Sequence, residues 1–176
     1  HHFLDIKLAG NNIIEKIYAK YMPVPFLSII MEDCIETAQD YNCGGARYNT
    51  YYIQGVGIGT ITDSLSSISY NVFDKKNFTM AELCEAVKAD FEGYDRIYNL
   101  VCNKTPKYGN DDDYADAIMK RVFNSYCDYI TGRPTIKGGQ YRIDMLPTTC
   151  HVYFGEVCGA LPNGRKAQKP MSEGIS

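Results

Sequence analysis

Tyr141-Arg142-Ile143-Asp144-Met145-Leu146-Pro147-Thr148-Thr149-Cys150-His151-Val152-Tyr153-Phe154 is the stretch on which the fold class turns. Tyr141 to Leu146 and Thr149 to Phe154 both read as extended, β-rich pieces, with Pro147 between them. Nearly everything before them reads as helix. Two strands among several helices predict a portion of an α/β architecture rather than a self-contained fold.

Working outward, Phe3, Ile6, Ile13, Ile14, Ile17 and Tyr18 recur at helical spacing, so Phe3–Lys20 is expected to be an amphipathic helix, with a break near Gly10. Pro23 and Pro25 end it, and a second helix is expected from Phe26 to about Asp40. Ile61, Leu65, Ile68 and Val72 predict a third helix, Ile58–Phe73. Thr79 and Glu82 form a capping box that opens a short helix to about Ala89, and another covers Tyr94–Cys102. Asn110 is expected to cap a long helix that begins with Asp111-Asp112-Asp113 and runs to Ile130. Gly159 to Gly174 reads as a loop.

The 176 residues carry 18 basic and 21 acidic side chains, a net charge of −3 without a basic stripe, which argues against a nucleic-acid binder. No apolar run reaches the roughly 18 residues a bilayer span needs, and no signal peptide is evident at the start. The seven cysteines are odd in number, show no CxxC spacing, and are expected to be mostly buried reduced thiols of a cytoplasmic protein.

Gly55-Val56-Gly57-Ile58-Gly59 lacks the spacing and the Lys of a phosphate loop, so a close-packed turn into a helix is expected. Asp111, Asp112, Asp113 and Asp116 do not follow the calcium-loop pattern, and carboxylates suit the first turn of a helix in any case. Cys34 lies among Glu32, Asp33 and Glu36, which would raise its pKa, so it reads as an ordinary helical thiol. Cys150 and His151 would point to opposite faces of a strand, which argues against a dyad. A hydrogen-bonding role for Thr148 or Thr149 stands beside plain β packing. Arg165 follows a Pro162-Asn163-Gly164 turn and reads as a structural arginine sooner than a carboxylate clamp.

Taken in order, several strings resemble the glycyl radical enzyme family, whose archetype is pyruvate formate-lyase. They are Gly44-Gly45-Ala46-Arg47-Tyr48-Asn49, Gln54-Gly55-Val56-Gly57 through Thr62-Asp63-Ser64-Leu65, and Tyr108-Gly109-Asn110-Asp111-Asp112-Asp113-Tyr114-Ala115-Asp116. His151-Val152-Tyr153-Phe154-Gly155 and Ala160-Leu161-Pro162-Asn163-Gly164-Arg165 complete the set. Tyr18-Ala19-Lys20-Tyr21-Met22-Pro23 and Met145 to His151 look like the branch that eliminates water from hydroxyproline. Choline lyase, the diol dehydratases, the sulfonate lyases and formate acetyltransferase share the shorter strings.

The resemblance implies a helix-rich portion of a ten-stranded α/β barrel. It further implies a protein-derived glycyl radical, a thiyl radical that abstracts a substrate hydrogen, and no bound metal or organic cofactor. A radical S-adenosylmethionine activating enzyme, a small-molecule substrate and a homodimer are the implied partners, with neither nucleic acid nor membrane. The family's Gly-Cys-Val/Ala-Glu thiyl motif and Arg-Val-Ala-Gly-Tyr-Ser radical motif do not occur here, and Asp33-Cys34-Ile35-Glu36 only mimics the first. Residues 1–176 are therefore expected to be an internal piece of the barrel, inactive alone, with no catalytic residue of its own. Thr149, and after it Thr148, are the substrate contacts the branch implies. The competing reading is a small non-catalytic binding protein. A barrel piece should expose large apolar patches, whereas an independent domain should not.

Overall fold

The computed structural model describes residues 1–145 and 148–172. They form two compact units, one from His1–Ile53 with Tyr126–Asp144, the other from residues 54–125 with the described part of 145–172.

In the first unit, α1 (His2–Tyr21) runs without a break. Gly10 costs only about 1 kcal/mol relative to Ala, which a long helix absorbs. The face that α1 turns to its own unit is the surprise. Asp5, Leu8, Asn12 and Glu15 recur at helical spacing and carry the contacts. Asp5 accepts hydrogen bonds from the Tyr129 hydroxyl at 2.6 Å and from Arg133 at 2.7 Å. Asn12 accepts from the Tyr141 hydroxyl at 2.8 Å, and Glu15 pairs with Lys137 at 2.9 Å. Leu8 enters a small core with Ile53, Ile130 and Tyr141. The apolar stripe that marked this helix in the sequence lies outward: Phe3 is 82% exposed, and Ile6, Ile13, Ile14, Ile17 and Tyr18 are all exposed.

The expected helix from Phe26 to Asp40 is instead two short ones, α2 (Pro25–Ser28) and α3 (Glu32–Thr37), followed by a 3₁₀ turn, Tyr41–Cys43. Asp40 is the reason. Its carboxylate accepts from the Val24 amide, the Ser28 hydroxyl and the Asn42 amide at 2.8–2.9 Å, drawing the chain back on itself. Burial opposes the Asp40 charge, but these three donors outweigh it and hold the pKa below the usual carboxylate range. Ala38, in the left-handed region at φ 51°, ends α3. Strand β1 (Tyr51–Gln54), not anticipated from the sequence, pairs with β2 (Tyr141–Asp144).

In the second unit, α4 (Ile58–Ile68) continues into a π-helical turn, Ser69–Asp74. The turn is widened around Asn71, which is fully buried. Its amide donates to the Ser67 carbonyl and the Thr105 hydroxyl, and its oxygen accepts from Asn77, so both polar ends of the Asn71 side chain are satisfied. Helix α5 (Met80–Lys88) starts at the Thr79–Glu82 capping box as expected. Replacing Thr79 by Ala should cost about 1 kcal/mol, and urea midpoints of the two proteins would check this. Helix α6 (Asp95–Asn103) follows. Together they bury Phe78, Leu83, Ala86, Phe91, Ile97 and Val101. Helix α7 (Asp113–Ile130), which belongs to this unit as far as Ser125, is capped by Asp112, whose side chain accepts the Tyr114 amide at 2.9 Å, rather than by Asn110.

The predicted second extended piece is overturned: Cys150–Val157 is a helix, α8. A short apolar run fits strand and helix templates equally, and only tertiary contacts choose between them. Here the choice rests on Gly155, which lies flush against the Lys169 and Pro170 backbone with no space for a Cβ. On the far side Tyr153 and Val157 are exposed, Val157 to 84%.

The cysteines also depart from expectation. All seven are free, but only Cys34 is buried, whereas Cys43, Cys84 and Cys150 are exposed. Among the described residues, no helix is long and apolar enough to cross a membrane.

Candidate functional site

The Thr148–His151 corner opens α8 within the second unit. Thr149 occupies the N-cap position but has helical backbone angles, φ −69° and ψ −8°. A capping threonine normally has extended angles, which let its hydroxyl reach back to the first free amides. From the helical region it does not, and the Thr149 side chain makes no capping bond and stands exposed. The Thr148 hydroxyl oxygen is the opposite case, sealed from solvent with no hydrogen-bond partner.

His151 closes the corner. Its Nδ1 lies 2.5 Å from the Thr148 carbonyl oxygen. A carbonyl can only accept, so Nδ1 carries the proton and donates it. The backbone of the same residue is held too, since the Met171 amide donates to the His151 carbonyl at 3.1 Å. Ser172 then exchanges bonds with Thr60 of α4: each residue's amide donates to the other's hydroxyl at 2.8 Å. On a helix, Cys150 and His151 diverge by about 100°. The strand argument against a dyad therefore lapses, but the imidazole Nδ1 is committed to the backbone.

The loop beyond α8 is organised by Arg165. Its guanidinium donates to the carbonyls of Gly155, Gly159 and Lys169, so it is a structural arginine and not a carboxylate clamp. Leu161 and Arg165 close the expected Pro162-Asn163-Gly164 turn through a backbone bond at 3.0 Å, with Gly164 at φ 90°. Lys107 donates to the Asn163 carbonyl at 2.9 Å, and Lys166 to the Asp90 carbonyl at 2.6 Å. The glycine run at residues 55–59 serves packing: Gly57, at φ 82°, caps α4 and would meet the Met171 sulfur if it carried a Cβ.

The Cys34 thiol is pushed up, first by burial and then by Asp40 and Asp33. Burial, more than the neighbouring carboxylates, keeps it unreactive. Among the described residues no group of three His, Cys, Asp or Glu is placed to hold a metal. An apolar cavity of about 220 Å³ lies among Ile58, Tyr108, Met119, Phe123 and Met145. Neither Thr148 nor Thr149 lines it. The Glu15–Lys137–Tyr51 cluster of the first unit escaped sequence reading, because more than a hundred residues separate its ends and no local spacing marks it.

The pattern of the pyruvate formate lyase-like family matches residues 1–155. The chain belongs to that family. It is 66% identical over its whole length to trans-4-hydroxy-L-proline dehydratase of Clostridioides difficile, covering 22% of that protein. It is 37% identical over 99% of its length to (2S)-3-sulfopropanediol dehydratase of Klebsiella oxytoca, covering 21% of that protein. The crystal structure of the Clostridioides difficile hydroxyproline dehydratase with trans-4-hydroxy-L-proline bound superposes on 97% of the chain with a TM-score of 0.94, over 22% of its own length. The B12-independent glycerol dehydratase of Clostridium butyricum, 34% identical, superposes on 99% of the chain at 0.93, again over 22% of its own length. The chain thus spans about a fifth of the length of its relatives, and its fold is that of a portion of the glycyl radical enzyme barrel.

Proposed function

We propose that this chain is part of a glycyl radical dehydratase that converts trans-4-hydroxy-L-proline into a pyrroline-5-carboxylate and water. The observation that carries the reading is 66% identity to the hydroxyproline enzyme across every residue, against 37% to the sulfopropanediol enzyme. The outward apolar stripe of α1 supports the idea that residues 1–176 are an internal piece of a longer barrel, because an independent domain would bury it. Phe26, 85% exposed, extends the same argument.

In this reading the thiyl cysteine and the radical glycine lie in other parts of the polypeptide and supply hydrogen abstraction. The residues described here bind and orient. Thr149 offers the substrate an exposed hydroxyl that makes no capping bond, and Thr148 is the second choice because its hydroxyl is sealed in. A radical S-adenosylmethionine activating enzyme, a homodimeric assembly and a cytoplasmic location belong to the same proposal.

The test is turnover by the complete polypeptide, activated without oxygen. Hydroxyproline should yield pyrroline-5-carboxylate, and preferential turnover of sulfopropanediol, isethionate or glycerol would overturn the reading. Replacing Thr149 by Ala should raise KM about tenfold, the loss of one well-made hydrogen bond, with the glycyl radical signal unchanged. Replacing Thr148 by Ala should raise KM less. Unchanged kinetics in both variants would remove the threonines from the site.

A further inference from the structure

We propose that His151 is a positioning residue that presents the Thr149 hydroxyl to the substrate. This rests on the reading that the Thr148–Thr149 corner faces hydroxyproline. A threonine at the start of a helix gains by turning its hydroxyl onto the free amides of the first turn, and extended backbone angles permit it. Thr149 is held in helical angles instead, at φ −69° and ψ −8°, and caps nothing. The structure supplies a contact that keeps it there.

The group in place is the imidazole two residues on. Its Nδ1 donates to the Thr148 carbonyl at 2.5 Å, bridging the peptide that joins Thr148 to Thr149 from the C-terminal side. That carbonyl lies in the rigid peptide plane that carries the Thr149 nitrogen, so its bond to His151 ties both sides of Thr149, the plane before it and the helix after it, to one another. Swinging Thr149 into a capping conformation would rotate the plane and break the bond. The His151 backbone is held in turn, through the Met171 amide on the His151 carbonyl and the neighbouring Ser172–Thr60 pair on α4. The donor is Nδ1–H in the neutral ring and in the cation alike, so the device needs no particular charge state.

The test uses the complete, activated enzyme and the contrast between His151→Asn and His151→Gln. The Asn amide can place an N–H where Nδ1 stands, whereas the longer Gln amide reaches toward the position of Nε2. His151→Gln is expected to raise KM for hydroxyproline about five- to tenfold, the loss of one well-made bond. His151→Asn should stay within about twofold of the parent, because it keeps the bond. Radical yield by electron paramagnetic resonance should match in all three proteins.

In the Thr149→Ala background, His151→Gln should change KM no further, since the hydroxyl it positions is gone. Equal effects of Asn and Gln would overturn the proposal, as would a His151→Gln effect that persists without the Thr149 hydroxyl. If the parent turns over another family substrate and not hydroxyproline, the functional reading itself fails. That result is distinct, because it is read on the unmutated enzyme.

Discussion

Replacing Lys137 by Met is expected to destabilise the protein by about 3–5 kcal/mol, the usual cost of stranding one member of a buried ion pair. The Lys137 Nζ lies 2.9 Å from Glu15 Oε2, and the two side chains are only 6% and 13% exposed. The ammonium also sits over the rings of Tyr41 and Tyr51, at 5.6 and 5.3 Å from their centroids. The Tyr51 hydroxyl donates to the same Glu15 oxygen. Without Lys137 that carboxylate keeps one neutral donor and no countercharge. Burial, followed by the Glu15 hydrogen bond and charge, pushes the Tyr51 phenol well above its usual range, so it stays a donor throughout the stable pH interval. The double change Glu15→Leu with Lys137→Met should recover most of the loss, because a buried pair replaced by apolar groups removes its own desolvation cost. Urea denaturation would decide. A loss below about 1 kcal/mol for the single variant would mean the pair behaves as a surface salt bridge.

Gly155→Val should be the second most damaging change, costing about 3 kcal/mol, the upper end of ordinary overpacking. A Cβ there would meet the Lys169 carbonyl and lie 2.7 Å from Pro170 Cα. These are backbone atoms and cannot swing aside as a side-chain end can. Either α8 or residues 169–171 must move, and the Met171–His151 bond is the link that movement strains first. A rise in KM for hydroxyproline should therefore accompany the stability loss. Gly10→Ala is the control: nothing lies within 4 Å of a Cβ at Gly10, and the change should gain about 1 kcal/mol through helix propensity. Thermal melting of the two variants side by side would show opposite shifts. A destabilised Gly10→Ala together with an unaffected Gly155→Val would refute the packing argument.

Much of the local structure was legible because its causes are local. The Thr79–Glu82 capping box, the helical spacing of Ile61, Leu65 and Ile68, and the Pro162-Asn163-Gly164 turn each involve residues within a few positions of one another. Family membership was legible too, through the order of short strings along the whole chain. The candidate site was half legible. Thr148, Thr149 and His151 could be picked out as a polar cluster, but on a strand, and a strand gives His151 no route to the Thr148 carbonyl.

Local spacing determined where most helices lie and which turns end them, and the resemblance of ordered strings pointed to the family the chain joins. Only the tertiary structure decided that residues 150–157 are a helix, since their apolar run fits both periods and Gly155 settles the choice by contact with residues fourteen or more positions away. It alone decided which face of α1 turns inward. Periodicity marks an apolar stripe but not what the stripe packs against. Here the polar row Asp5, Asn12 and Glu15 meets its own unit through charge and hydrogen bonds from residues more than a hundred positions distant, leaving the isoleucines outward. The partners of a side chain are set by the folded path of the whole chain, and spacing along the sequence does not contain that path.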